Sequence, residues 1–220
     1  MGRSVQGRPI RVTVVGDPRA PRPLLVVGAI HGDEAAGLRV VRALDGTRSP
    51  AQRAIWILPD LNPDGVAAGT RQNARGVDLN RNFPLRWRPI GHLGDQQYAG
   101  ARALSEPESR TAERLILGIR PAISIWFHQP LGVVDESGGV PAVERCFARL
   151  SALPLRRLTR YPGSATGWEN HRIPGSAAFV VELPAGPLSA SRAARLAGDV
   201  RRLADSHVGA PDPRRPDARC

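Results

Sequence analysis

The chain has no lysine. All 31 basic residues are arginine, set against 20 acidic ones, which leaves a formal charge of +11 over 220 residues. Cysteine is nearly absent too: Cys146 and Cys220 are the only two. That excludes a disulfide-dense scaffold and a cysteine-built zinc site. Free thiols are the expectation, and a single bridge closing the tail in a secreted form is the alternative. No apolar stretch nears the roughly 20 residues a membrane-spanning helix needs, so no membrane partner is expected. Met1-Gly2-Arg3-Ser4 leads into polar sequence without the apolar core of a signal peptide. If Met1 is the native start, the expected compartment is the cytoplasm. If a signal has been removed, secretion stays open.

The arginine excess attracts polyanions in principle. Yet the arginines are spread along the chain, with only short clusters such as Arg156-Arg157 and Arg214-Arg215. With so much Ala, Gly and Pro, the absence of lysine reads as codon bias rather than as a binding stripe. Nucleic acid is not expected as a partner.

The length suits one α/β domain with a full core. Pro9–Val15 reads as an edge strand, Leu24–Ile30 as a buried central strand and Glu34–Leu44 as a helix. Ala54–Leu58 is a third strand. From Pro59 to Leu104 no long periodic segment appears, and a loop of that length in a compact domain is usually functional or disordered. Its many specific-looking residues favour function. Ser105-Glu106-Pro107-Glu108 predicts a helix start, with Ser105 as cap and Glu108 at the capping-box position, running to Ile119. Ala122–Phe127 predicts a strand ending on His128, followed by a helix over Pro141–Leu150 and a loop through Trp168. The strand Ala177–Leu183 and a helix from Ser189 to Ser206 complete the body. Alternating strands and helices predict a single-domain α/β fold with a mixed, largely parallel, twisted sheet and helices on both faces. Residues 1–208 form the expected catalytic domain and residues 209–220 a flexible tail.

Chemistry collects at strand ends. His31-Gly32-Asp33-Glu34 directly follows the central apolar run, and in α/β folds that edge is where sites lie. His31 and Glu34 are both zinc-ligand types, and His128 repeats the placement at a second strand end. Glu182 sits inside Phe179-Val180-Val181-Glu182-Leu183-Pro184, where burial without a partner is costly and raises a carboxyl toward the range useful for acid–base work. A salt bridge to a neighbouring arginine is the structural alternative for Glu182.

The long loop is the most specific part. Asn62-Pro63-Asp64-Gly65 is followed by Arg71-Gln72-Asn73 and by Gly76-Val77-Asp78-Leu79-Asn80-Arg81-Asn82-Phe83. With HGDE, SEPES, the strand-end His and VVELP in the same order, the chain resembles the zinc metallocarboxypeptidases of the carboxypeptidase A type. The resemblance implies that His31, Glu34 and His128 hold one zinc ion, and that water takes the fourth position. It implies Glu182 as general base, Arg71 as the group that polarises the scissile carbonyl, and Asn80 and Arg81 as the clamp for the substrate's free carboxylate. Asp78 matches the residue that orients His31, and Tyr161 the mobile substrate-contacting tyrosine. Asp64 and Asn62 are expected to shape the loop.

Two features depart from the digestive enzymes of that family. Gln129-Pro130 follows the third ligand in place of Ser-Tyr, and the chain is short. Tyr161-Pro162-Gly163-Ser164-Ala165-Thr166-Gly167-Trp168 and the opening Gly2–Ile10 resemble the bacterial murein peptide amidase branch. The implied partner is a small cell-wall peptide with a free carboxylate, cut at its γ-D-glutamyl-diaminopimelate bond. Asp135 and Glu136 are candidates to meet the free amino end of diaminopimelate, against the plainer reading of solvated loop charge. A zinc-dependent deacylase of N-acyl amino acids, of the desuccinylase or aspartoacylase type, is the alternative enzyme. A non-catalytic binder of anionic polymers is the alternative from another class.

Overall fold

Short apolar runs rich in Val, Ile and Leu form the strands of one sheet, and the amphipathic stretches between them form its helical cover. The computed structural model describes residues 1–46, 49–50, 52–136, 139–206 and 220. In chain order the elements are β1 (Gly2–Arg3), β2 (Pro9–Ile10), β3 (Thr13–Val15), β4 (Leu24–Val27), α1 (Gly37–Asp45), β5 (Ile55–Leu58) and α2 (Pro63–Ala68). A single 3-10 turn, Leu79–Arg81, is followed by α3 (Pro107–Ile119), β6 (Ile123–His128), β7 (Leu131–Asp135) and α4 (Pro141–Ser151). Then come β8 (Leu155–Arg156), α5 (Ala165–Arg172), β9 (Ala177–Pro184) and α6 (Ala190–Asp205).

The main sheet has seven strands in the order β3-β5-β4-β6-β9-β7-β8. The central pairings β5-β4, β4-β6 and β6-β9 are all parallel, as is β7-β8; the pairings β3-β5 and β9-β7 are antiparallel. β4 is buried on both faces, which is why it reads as an unbroken apolar run. Successive side chains alternate between the two layers. Leu24 and Val26 pack with Val40 and Leu44 of α1, Phe147 of α4, and Leu196 and Val200 of α6. Leu25 and Val27 face Leu115 and Ile116 of α3, Trp168 of α5 and Phe83 of the long loop. The mixed, largely parallel sheet with helices on both faces is therefore the fold observed.

Several local expectations change. Pro9–Val15 is not one strand: Pro9–Ile10 pairs with Gly2–Arg3 in a separate ribbon, and only Thr13–Val15 joins the main sheet, beside β5. The first helix begins at Gly37 rather than Glu34, because residues 31–36 form a tight turn in which Glu34 N–H bonds to the His31 carbonyl at 3.3 Å. Glu106, not Ser105, occupies the N-cap position of α3, and no side chain caps the helix start. Glu108 does not reach back to the helix start; it accepts the Val5 N–H at 2.9 Å and the Asn73 amide at 3.1 Å. The stretch leading to Trp168 contains α5, whose burial rests on Trp168 against Phe83, ring centroids 5.4 Å apart, rather than on an apolar stripe. β7 and β8 were not expected, since neither carries a long apolar run. Cys146 of α4 is buried and bonded to Cys220, so the free-thiol reading is replaced by a bridge. Apart from Cys220, the tail expected at residues 209–220 lies outside the described residues. No described helix is long and apolar enough to cross a membrane.

One buried acid stands apart from the strand ends. Glu169 of α5 lies fully buried under the sheet, hydrogen-bonded to the Ser124 hydroxyl and accepting from the Trp126 indole N–H at 3.3 Å. Burial outweighs these bonds and pushes its carboxyl up to about 7. The folded protein therefore keeps a proton there that the unfolded chain gives up near the ordinary carboxyl pKa, so stability falls as pH rises between those values. Relative to Glu169→Gln, the wild type is expected to lose roughly 3 kcal/mol between pH 4 and pH 8. Denaturant unfolding of both proteins across that range checks this; parallel curves would refute it.

Candidate metal centre and active site

The parallel centre of the sheet brings the carboxyl ends of β4, β6 and β9 to one edge. In the β6-β9 register His128 is directly opposite Glu182. His31 lies just beyond the end of β4. His31 and His128 meet edge to face, their ring centroids 4.8 Å apart. One ligand atom from each of His31, Glu34 and His128 falls within 4.8 Å of the others.

These three side chains are arranged as a donor set. His128 Nδ1 is 2.8 Å from Glu34 Oε2. The buried Nδ1 of His31 lies 3.0 Å from Glu34 Oε1 yet makes no hydrogen bond. Its other nitrogen, Nε2, is held at 3.0 Å by Asp78 Oδ1. A fully buried ring nitrogen that makes no hydrogen bond, beside a carboxylate and a second imidazole, fits a zinc ion with one position left open. Burial pushes Glu34 upward, but its contacts with both imidazoles outweigh this and hold it well below the carboxylate range.

The long loop supplies the remaining charge, and its polar residues pin it in place. A Cβ on Gly32 would sit 1.9 Å from the carbonyl carbon of Gly65, so only a glycine at position 32 lets the HGDE turn touch the NPDG turn. Asn62 caps α2 by accepting the Gly65 N–H at 3.0 Å, and its amide donates to the Arg71 carbonyl at 3.3 Å. Asp64 is taken by Ser4, Gln6 and Arg8 of the amino-terminal segment. The Asn73 amide donates to Glu106 and Glu108, and the Asn82 amide to Ala99, Arg102 and Ser105. SEPES is thus an anchor for the loop as well as a helix start, a role its capping pattern did not reveal.

Asp78 is the hinge of this arrangement. Wholly buried, it accepts from His31 through Oδ1 and from Arg71 Nε and Nη2 through Oδ2, at 3.1 and 3.0 Å. It also caps the 3-10 turn by accepting the Asn80 N–H at 2.9 Å. Burial raises its carboxyl, but His31 and Arg71 outweigh burial and hold it far below its ordinary value. The Arg71 guanidinium reaches on to Glu34 Oε1 at 2.8 Å, beside the ligand set.

An open cavity of about 640 Å³ spreads over the three candidate ligands, lined among others by Arg71, Asn80, Arg81, Tyr161 and Glu182. Arg81 is 5% exposed, forms no ion pair among the described residues and stacks on Tyr161, 4.1 Å from the ring centroid. Asn80 gives its side-chain oxygen to the Ala165 N–H at 2.9 Å, which leaves the amide NH₂ as its donor group. No arginine pairs with Glu182 among the described residues; Oε2 is buried without a partner, and burial raises the carboxyl. Of the two acids after the third ligand, Asp135 lines the cavity and holds the Leu158 N–H at 2.8 Å, whereas Glu136 lies 3.8 Å from Arg145, away from it. The residue sequence reasoning missed is Gln129. Its side chain accepts the Ala36 N–H at 3.0 Å and donates to the Pro184 and Gly186 carbonyls, tying the HGDE turn to the end of β9. Only its departure from Ser-Tyr signalled it.

Three side chains that could hold a metal ion, with a carboxylate oxygen left unpartnered in the strand beside one of them, match the construction of single-metal hydrolases. The chain belongs to the zinc carboxypeptidase family, whose pattern matches residues 1–131. It is 33% identical over 181 residues to murein peptide amidase A of Escherichia coli K12, covering 76% of this chain and 74% of that one. To murein peptide amidase A of Vibrio campbellii it is 32% identical over 204 residues, covering 86% and 79%. Among solved structures, murein-tripeptide amidase from Escherichia coli O157 superposes with a TM-score of 0.75 at 29% identity, covering 94% of this chain and 90% of that one. Carboxypeptidase A from Helicoverpa armigera shares the fold, with a TM-score of 0.78 at 20% identity over 92% and 66% of the chains.

Because Asp78 holds the imidazole of a candidate ligand, Asp78→Asn is expected to weaken zinc binding by roughly 10- to 100-fold. His128→Ala should abolish stoichiometric binding. Competition with a chromophoric chelator measures both, and Asp78→Asn affinity equal to wild type would contradict the assignment.

Proposed function

We propose that this protein is a zinc-dependent peptidase that hydrolyses the γ-D-glutamyl-diaminopimelate bond of cell-wall peptides. The observation that carries the peptidase chemistry is Glu182, half-buried opposite His128 in the sheet register, with its Oε2 buried and without a hydrogen-bond partner. The murein substrate is supported by the amidase relatives and by a cavity that ends on a buried guanidinium with no carboxylate partner among the described residues.

His31, Glu34 and His128 would hold one zinc ion, which when bound supplies Lewis-acid chemistry, polarising a carbonyl and acidifying water. Arg81 and the Asn80 amide bind the carboxylate of the terminal residue, a guanidinium fork suiting carboxylate geometry. That contact orients the peptide with its scissile carbonyl toward the ligands. Arg71, fixed by Asp78, presents positive charge where the carbonyl oxygen becomes negative. Glu182 takes the proton of the attacking water at its free oxygen and passes it to the leaving nitrogen. Tyr161 stacks on Arg81 and closes the side of the carboxylate site. Glu34 and Asp78 draw on the same guanidinium, so the electrostatics of metal site and oxyanion site are linked.

Zinc-loaded protein incubated with L-alanyl-γ-D-glutamyl-diaminopimelate, with N-acyl amino acids and with ordinary carboxy-terminal peptides tests the proposal, with products read by mass spectrometry. Release of free diaminopimelate is expected. Release of an acyl group alone would assign a deacylase instead, and turnover of nothing despite bound zinc would leave only a binding role. Glu182→Gln is expected to keep its zinc and to lose roughly 10²- to 10⁴-fold in kcat. Activity within a few-fold of wild type would remove Glu182 from the proton-transfer step. Arg81→Gln should act mainly through KM, because it removes a contact present in the bound ground state.

A further inference from the structure

The cavity carries more positive charge than one carboxylate requires. Arg71 is matched by Asp78 and Glu34. Arg81, Arg86 and Arg160 all line the same cavity, and among the described residues none of the three has a carboxylate partner. Arg81 is buried; Arg86 and Arg160 are exposed at the rim.

Chain geometry sets the two rim arginines on the Arg81 side. The Phe83 N–H donates to the Gly163 carbonyl at 3.0 Å, and the Gly163 N–H donates to the Leu85 carbonyl at 2.9 Å. These two bonds lace the segment carrying Arg81 and Arg86 to the segment carrying Arg160 and Tyr161. The lacing needs Gly163: its φ is +72°, and a Cβ there would lie 2.1 Å from the Arg81 carbonyl oxygen. Both rim guanidiniums therefore stand on the two segments that bear the Arg81–Tyr161 stack. Arg71, beside the ligands, belongs to neither.

We propose that Arg86 and Arg160 determine specificity by binding a second carboxylate at the far end of the terminal residue's side chain, so that the enzyme selects a terminal diamino-dicarboxylic acid over a terminal diamino-monocarboxylic one. This rests on the peptidase reading above. The discrimination is electrostatic. A terminal lysine would bring a bare ammonium against two unmatched guanidiniums. Adding a carboxylate at the same carbon, which converts the lysine side chain into that of diaminopimelate, neutralises the group and gives both guanidiniums an acceptor.

The test compares L-alanyl-γ-D-glutamyl-meso-diaminopimelate with L-alanyl-γ-D-glutamyl-L-lysine, two peptides that differ by that one carboxylate. The variants are Arg86→Asn and Arg160→Gln, singly and together. Asn is chosen because Arg86 has φ +52°, a region Asn tolerates. Wild type is expected to favour the diaminopimelate peptide by about tenfold or more in kcat/KM, and the double variant to cleave both at similar rates. Calorimetric binding of the free products, diaminopimelate and lysine, gives a readout apart from turnover and should show the same gap and the same loss. A gap that survives in the double variant, or is absent from wild type, overturns the assignment while leaving the peptidase intact. Wild type that cleaves neither peptide overturns the peptidase reading, and this one with it.

Discussion

The site depends on one buried carboxylate. Asp78 is fully enclosed, and a buried charge persists only where hydrogen bonds and opposite charge replace water. It obtains them from three directions: the His31 ring, the Arg71 guanidinium and the Asn80 backbone. Each bond fixes a different part of the chemistry. The first leaves His31 Nδ1 turned toward Glu34 and His128, the second holds Arg71 beside the ligand set, and the third starts the turn that presents Asn80 and Arg81. Losing Asp78 would leave a half-buried guanidinium and a buried imidazole to find new partners together.

The sheet supplies what Asp78 cannot. Parallel pairing of β6 with β9 sets His128 opposite Glu182 whatever the loops do, because register is specified by apolar side chains buried on both faces. Rigid strand ends hold two of the groups, and a pinned loop holds the charged ones. The glycine contact between the HGDE and NPDG turns joins these halves, and Gln129 makes a second joint between the HGDE turn and β9. Precision at the site thus comes from packed elements and satisfied polar groups, which suits chemistry in which small misplacements are costly.

Much of this was legible beforehand. The apolar runs of β4, β6 and β9 mark buried strands, and polar ligand types at the ends of two of them mark the site edge. The long loop brought out Arg71, and its GVDLNRNF segment Asp78, Asn80 and Arg81, through family resemblance, since no local rule assigns those roles. What escaped was non-periodic or non-local. β7 and β8 carry little apolar signal and exist because β9 offers an edge. α5 has one buried tryptophan instead of a stripe. Glu108 looked like a capping residue, yet its carboxylate serves Val5 and Asn73, far away in sequence. Cys146 and Cys220 were too far apart for spacing to decide their pairing.

By itself the sequence determined the fold class, the family and the identities of the metal-binding and proton-transfer candidates, because hydrophobic periodicity and ordered motifs are local properties of the chain. Only the tertiary structure decided which polar groups are left without partners. His31 Nδ1, Glu182 Oε2 and Arg81 Nε stand out as chemically poised because the residues around them hydrogen-bond to one another and not to these atoms. Whether a buried group is paired depends on neighbours brought together from across the chain, and no window of sequence contains them.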